Sequence, residues 1–267
     1  MKRLVFQIVL LVAISLVFNL VSECFAKVDE NIVLYFRFDE GQGDKVADSS
    51  IYKNDGVING AKWVKDGKYG SALSFNGTSD YVEVKSNDSL QLSKEGITIA
   101  VWFRTTETTN ADLMFIEKGD WDPGEYALSY PGYANKRVRF QIYEIYGKVT
   151  NQIDSTSGVP ELSDDEWHHA AGVYDAGNHV FKVYVDGKLE TKQDAQPHAF
   201  TPDNQSVFIG SRIMRAGFYY RGDIDELLVA KVPFTDEQVK KLMDRSLFAV
   251  NPAGKLATEW GNIKSRL

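Results

Sequence analysis

The chain has 267 residues, 30 basic and 37 acidic side chains, a net charge of −7 and a single cysteine. That balance leaves no electrostatic footprint for nucleic acid, and one thiol leaves no internal disulfide to staple a small fold. The length suits one domain of the larger kind, held by its own hydrophobic core.

The N-terminus reads as an export signal. Lys2 and Arg3 precede an apolar run from Leu4 to Val21 that only Gln7, Ser15 and Asn19 interrupt, and Ser22-Glu23-Cys24-Phe25-Ala26 ends in small residues suited to cleavage after Ala26. On this reading residues 1–26 are a signal peptide, the mature chain begins at Lys27 without a thiol, and the protein is secreted, extracellular or held in the cell envelope. Two alternatives stay open: an uncleaved anchor, since the run approaches the ~20 residues that span a bilayer, and lipid attachment at Cys24, for which Glu23 is a poor neighbour. Beyond the leader no apolar stretch is long enough to cross a membrane.

Period-two alternation then recurs along the mature chain. It predicts strands over residues 32–38, 60–64, 72–76 and 80–85, with turn chemistry at Asn59-Gly60 and Asn76-Gly77. Ile97, Ile99, Val101 and Phe103 share one face while Ala100 and Trp102 share the other, the pattern of a central strand buried on both sides. Strands follow at 113–117 and 125–130. Val138, Phe140 and Ile142 alternate with Arg137, Arg139 and Gln141, as in a strand with one wet face. After a strand at 167–175, Phe181, Val183 and Val185 alternate with Lys182, Tyr184 and Asp186, and Asp186-Gly187 supplies a tight hairpin turn. Two more strands fall at 206–211 and 223–230. Thr235 and Gln238 form a capping box for a helix whose Val239, Leu242, Met243 and Leu247 recur at helical spacing. So many short strands without interleaved helices predict an all-β, antiparallel two-sheet sandwich over 27–247, a short C-terminal helix, and a tail at 248–267 carrying Trp260.

Several blocks, in order, resemble the LamG-like jelly-roll family within the concanavalin A-like lectin/glucanase folds. They are Tyr35-Phe36-Arg37-Phe38-Asp39-Glu40-Gly41, Asp48-Ser49-Ser50, Asn54-Asp55-Gly56, Gly70-Ser71-Ala72-Leu73-Ser74-Phe75-Asn76-Gly77, Ile99-Ala100-Val101-Trp102-Phe103, Trp167-His168-His169, Val183-Tyr184-Val185-Asp186-Gly187 and Gly222-Asp223-Ile224-Asp225-Glu226-Leu227. The resemblance implies a jelly-roll sandwich and a ligand-binding protein outside the cytoplasm, without naming the ligand. It also implies a structural calcium ion where the opening segment meets the last strand, with Asp39, Asp48 and Asp225 as ligands. Asx-turns and loop hydrogen bonds are the bland reading of the same residues.

Catalytic constellations are thin. His168 and His169 are adjacent on a strand, so their rings point to opposite faces and cannot converge on one ion. Asp120-Trp121-Asp122-Pro123-Gly124-Glu125 approximates a jelly-roll glucanase triad, but an Asp replaces the first Glu and Pro123-Gly124 breaks the strand that must fix the carboxylate spacing. Arg221-Gly222-Asp223 spells an adhesion tripeptide that serves equally as the lead into the last strand. Sugar rings stack on aromatic faces while charged groups fix hydroxyls. The expected ligand surface is therefore a wet sheet face carrying Arg137 and Arg139 or Lys182 and Tyr184, with Trp121 and Tyr126 as the stacking platform. The reading is a non-catalytic binding module for a glycan or glycoprotein. The alternatives are a structural or adhesive protein-contact domain and, last, a glycoside hydrolase.

Overall fold

The alternation that predicts the strands also sorts their side chains into two layers. The computed structural model describes residues 30–91, 93–108, 112–119, 126–131, 137–145, 148–156, 162–195, 204–212 and 218–248. The expected leader, Trp121 with the rest of the Asp120–Glu125 segment, and the tail beyond Phe248 lie outside them. In chain order the strands are β1 (Ile32–Phe36), β2 (Lys45–Val46), β3 (Gly56–Asn59), β4 (Lys62–Val64), β5 (Ala72–Asn76), β6 (Tyr81–Val84), β7 (Gly96–Arg104) and β8 (Asp112–Lys118). They continue with β9 (Tyr126–Pro131), β10 (Arg139–Ile145), β11 (Lys148–Asp154), β12 (His168–Asp175), β13 (Val180–Val185), β14 (Lys188–Asp194), β15 (Val207–Ile209) and β16 (Arg221–Ala230).

The first sheet runs β14-β13-β12-β7-β16-β5-β4, and β1 pairs with the far half of the long β16. The second runs β11-β10-β9-β8-β15-β6-β3-β2. Every named pairing is antiparallel, as the jelly-roll reading requires. Between the sheets, Ile97, Ile99, Val101 and Phe103 of β7 join Leu128, Phe140, Ile142, Phe181 and Leu227 in one core. Phe103 packs on Phe115 across the layers with ring centroids 4.6 Å apart. Gly172 faces this core because a Cβ there would stand 2.3 Å from the Phe140 ring.

The hairpin turn forms as its residues dictate. Asp186 (φ 47°) and Gly187 (φ 70°) are both left-handed, and Val185 pairs with Lys188 across a two-residue loop. The strand expected at 60–64 is β4, shorter at Lys62–Val64, and an unpredicted strand, β3, precedes it in the other sheet, with Gly60 at φ 85° in the link between them. Helix α1 (Asp236–Leu242) carries the predicted capping box, with Thr235 and Gln238 each bonding the other's backbone. Its Val239 and Leu242, with Phe234, cover Tyr35, Ala100, Ala171, Val173 and Tyr184 on the outer side of the first sheet.

Candidate functional site

The outer face of the second sheet is where polar side chains converge. The registers align Gln152, Gln141, Ala127 and Glu117 in one row across β11, β10, β9 and β8. Glu117 is fully buried, and Arg212, which follows β15, donates from Nε to both of its carboxylate oxygens at 2.8 and 2.7 Å. Arg212 Nη2 donates to Tyr143 Oη at 3.0 Å, so this guanidinium bridges β8 and β10 across β9, where the row holds only the methyl of Ala127. Its far side lies over the Phe218 ring at 4.9 Å. The Gln141 and Gln152 amides meet at 3.0 Å, and the Gln152 amide also lies 3.1 to 3.2 Å from the Arg139 guanidinium. One pleat along, Arg139 grips Asp154 with Nε and Nη2 at 2.7 and 3.0 Å. Pairs of this bidentate kind are geometrically rigid.

This face is less wet than the alternation suggests, for Gln141 and Ser129 are buried along with Met114, Ala127 and Tyr143. Its accessible end is the Arg139–Asp154 pair, whose side chains keep 12% and 21% of their surface. Arg137, just before β10, is half-buried.

The other expected pair lies on the opposite side of the molecule and is already occupied. Tyr184 is fully buried under α1, and its hydroxyl donates to Asp236 Oδ1 at 2.7 Å. Lys182 pairs with the same carboxylate at 2.8 Å. Tyr126 turns into the core, its hydroxyl donating to Leu90 O at 3.2 Å, so its ring is no stacking platform. Of the expected aromatic pair only Trp121 is left, outside the described residues.

The proposed calcium ligands do not assemble. Asp48 is buried, and its two oxygens accept from the backbone of Tyr35, Ser50 and Asn54 and from the Ser50 hydroxyl. That is the Asx-turn reading, and it leaves no lone pair aimed at an ion. Asp39 stands between Arg37 at 2.8 Å and Arg245 at 3.4 Å. Asp225 accepts from the N–H groups of Tyr69 and Glu226. Among the described residues no three His, Cys, Asp or Glu side chains gather as a cation site, so this donor set does not fit calcium.

Asp225, Trp102 and His169 form a cross-strand row on the outer side of the first sheet. Burial lifts the Asp225 carboxyl to about 7 and depresses His169 to about 4. His168, on the other face of β12, lies between Asp186 at 3.0 Å and Asp164 at 3.2 Å. The neighbouring rings do diverge, as strand geometry demands. The Arg-Gly-Asp tripeptide opens β16 and is structural: Asp223 is bonded to Arg104 at 2.8 Å, and a Cβ on Gly222 would meet Arg104 O at 2.2 Å.

The sequence pattern reaches Arg137, Arg139 and Gln141 but not Asp154 and Gln152, which pair with the latter two, nor the Glu117–Arg212 pair beside them. Strand β11 escaped notice because Asn151 interrupts the apolar alternation of Val149 and Ile153. No local pattern announces that Arg212 reaches a strand almost a hundred residues away, a separation of 95 positions.

Residues 76–240 match the family model of the concanavalin A-like lectin/glucanases superfamily. No curated protein matches the sequence. Among solved structures, the binding domain of Paraclostridial Mosquitocidal Protein 1 superposes with a TM-score of 0.64 at 14% identity, covering 82% of this chain and 53% of that one. The binding domain of botulinum neurotoxin DC, in complex with rat synaptotagmin II, superposes at 0.64 with 10% identity, covering 82% and 52%. The same domain in complex with SialylT gives 0.64 and 11% identity over 82% and 52%. This chain thus spans about half the length of those it resembles.

Proposed function

The chain belongs to the concanavalin A-like lectin/glucanases superfamily, and on that premise we propose that it is an exported, non-catalytic binding module that recognises a glycan or glycosylated partner through the outer face of its second sheet. The observation that carries this reading is the Arg139–Asp154 pair at the accessible end of this face, held beside a buried network that runs from Glu117 and Arg212 through Tyr143 to Gln141. A sugar hydroxyl both donates and accepts, so an Arg–Asp pair held side by side offers it complementary groups without reorganisation. The neurotoxin domain of the same fold has been captured with synaptotagmin II and with SialylT, which accords with a binding role. A hydrolytic reading gains nothing from Glu117, the buried carboxylate of this face, because Arg212 holds both its oxygens.

The test is a glycan array probed with the chain produced from Lys27 onward, followed by titration of the hits against Arg139→Ala and Asp154→Ala. Either variant is expected to weaken binding by about tenfold, the loss of one charge-assisted contact. Unchanged affinity in both would move the site elsewhere, binding only to protein partners would favour the adhesive alternative, and release of reducing ends would reveal an enzyme. Export is checked separately, by an intact mass from the native host that corresponds to a chain starting at Lys27.

A further inference from the structure

Among the described residues three guanidinium groups belong to the polar end of the second sheet, and two of them already hold a carboxylate. Arg212 is clamped on Glu117 and Arg139 on Asp154, so the charge of each is answered within the protein. Arg137 differs. Val138 N donates to Ser155 Oγ, and Ser155 N donates to Val138 O, both at 2.9 Å, so the antiparallel pairing of β10 with β11 continues past its formal end. Val138 is fully buried in the core, and alternation therefore sets Arg137 on the side of Arg139, one pleat further out. There its Nε is buried without any hydrogen-bond partner, while the residue as a whole remains partly exposed.

A buried guanidinium N–H left without an acceptor is costly, on the order of 1–3 kcal/mol or more for a charged donor. The protein has acid to spare, with 37 acidic against 30 basic residues, yet none of the described carboxylates stands within ion-pair distance of Arg137. The part of this planar guanidinium left at the surface, with no carboxylate on it, matches an incoming oxyanion. Resting on the glycan reading above, we propose that Arg137 anchors an acidic group of the ligand, the carboxylate or sulfate of an acidic saccharide, while Arg139 and Asp154 read the hydroxyls of the adjoining sugar. Two residues of strand separate the anchors by roughly 7 Å, the span of one pyranose ring with its substituent. An acid placed at Arg139 instead would meet Asp154, so the paired and the unpaired guanidinium divide the work between a neutral and a charged end.

The experiment uses the chain from Lys27 onward and an array of matched neutral, uronate-bearing and sulfated oligosaccharides, with titrations of tetragalacturonate against its methyl ester and of lactose 3′-sulfate against lactose. One acidic member is expected to bind about tenfold tighter than its neutral counterpart. Arg137→Gln should abolish that ratio while leaving neutral binding within about twofold, and Arg137→Lys should restore only part of it, since the charge returns without the fork. Which pair shows the ratio tells carboxylate from sulfate. Thermal melts of both variants accompany the titrations to show that they fold. Binding of neutral sugars with no acidic preference, or a preference that survives Arg137→Gln, overturns the anchor and leaves the glycan reading standing. No binding to any saccharide on the array overturns both.

Discussion

His168 has one ring nitrogen on Asp186 and the other on Asp164, an arrangement in which both nitrogens donate only when the ring is a cation. The hydrogen bond to Asp186 raises its pKa above the ordinary histidine value, with Asp164 adding to the effect against the opposing cost of burial. A base whose folded pKa is raised contributes stability fully below its unfolded value of 6.5 and loses it as pH climbs through the folded one. His168→Gln is therefore expected to cost about 1–3 kcal/mol in urea unfolding at pH 5.5, and the gap from the parent should close toward pH 9. An equal gap at both would mean that the ring acts by packing alone. Asp225 has the same sign for a different reason, since burial raises its carboxyl to about 7 from 3.8. Its contribution is complete below 3.8 and gone above about 7, so the stability of Asp225→Asn relative to the parent should rise between pH 4 and pH 8. A difference that stays constant across that range would contradict the buried titration.

The two sheets pack tightly where β12 faces β10, and the side chains there leave no slack. Gly172 lies under Phe140, whose ring atoms would stand 2.3, 2.6 and 2.8 Å from an added Cβ. Gly172→Ala should destabilise by about 1–3 kcal/mol, as overpacked cores do, and adding Phe140→Leu should recover part of the loss. If the second substitution makes matters worse, the crowding lies elsewhere. Most elements of both sheets are legible from alternation alone, down to the Asp186-Gly187 turn and the Thr235 cap, because each is encoded in contiguous residues. Strands β2, β3 and β11 are not, since they are short or polar and their pairing partners are what make them strands. Sheet formation is a property of neighbours as much as of the segment itself.

At the scale of the molecule, one continuous core lies between the sheets, and the three aspartates expected to hold calcium are engaged by protein groups. Asp48 is saturated by donors, Asp39 is flanked by two arginines, and Asp225 is bound to the backbone N–H groups of Tyr69, in the loop before β5, and of its neighbour Glu226. Millimolar calcium or a chelator should accordingly leave the melting temperature of the chain from Lys27 onward unchanged, and a calcium-dependent rise lost in Asp48→Ala would show that the turn rearranges to take the ion. What the sequence by itself determined was the all-β class, the antiparallel sandwich, the terminal helix and the family, because alternation and turn chemistry are local and period two records which face is buried. Only the tertiary structure decided between the two candidate surfaces. Lys182 and Tyr184 share a strand face as plainly as Arg137 and Arg139 do, yet α1 covers the first pair and Asp236 neutralises it, while the second lies on the opposite sheet. Alternation tells which residues share a side of a strand; which side is covered, and by what, depends on segments distant in the chain.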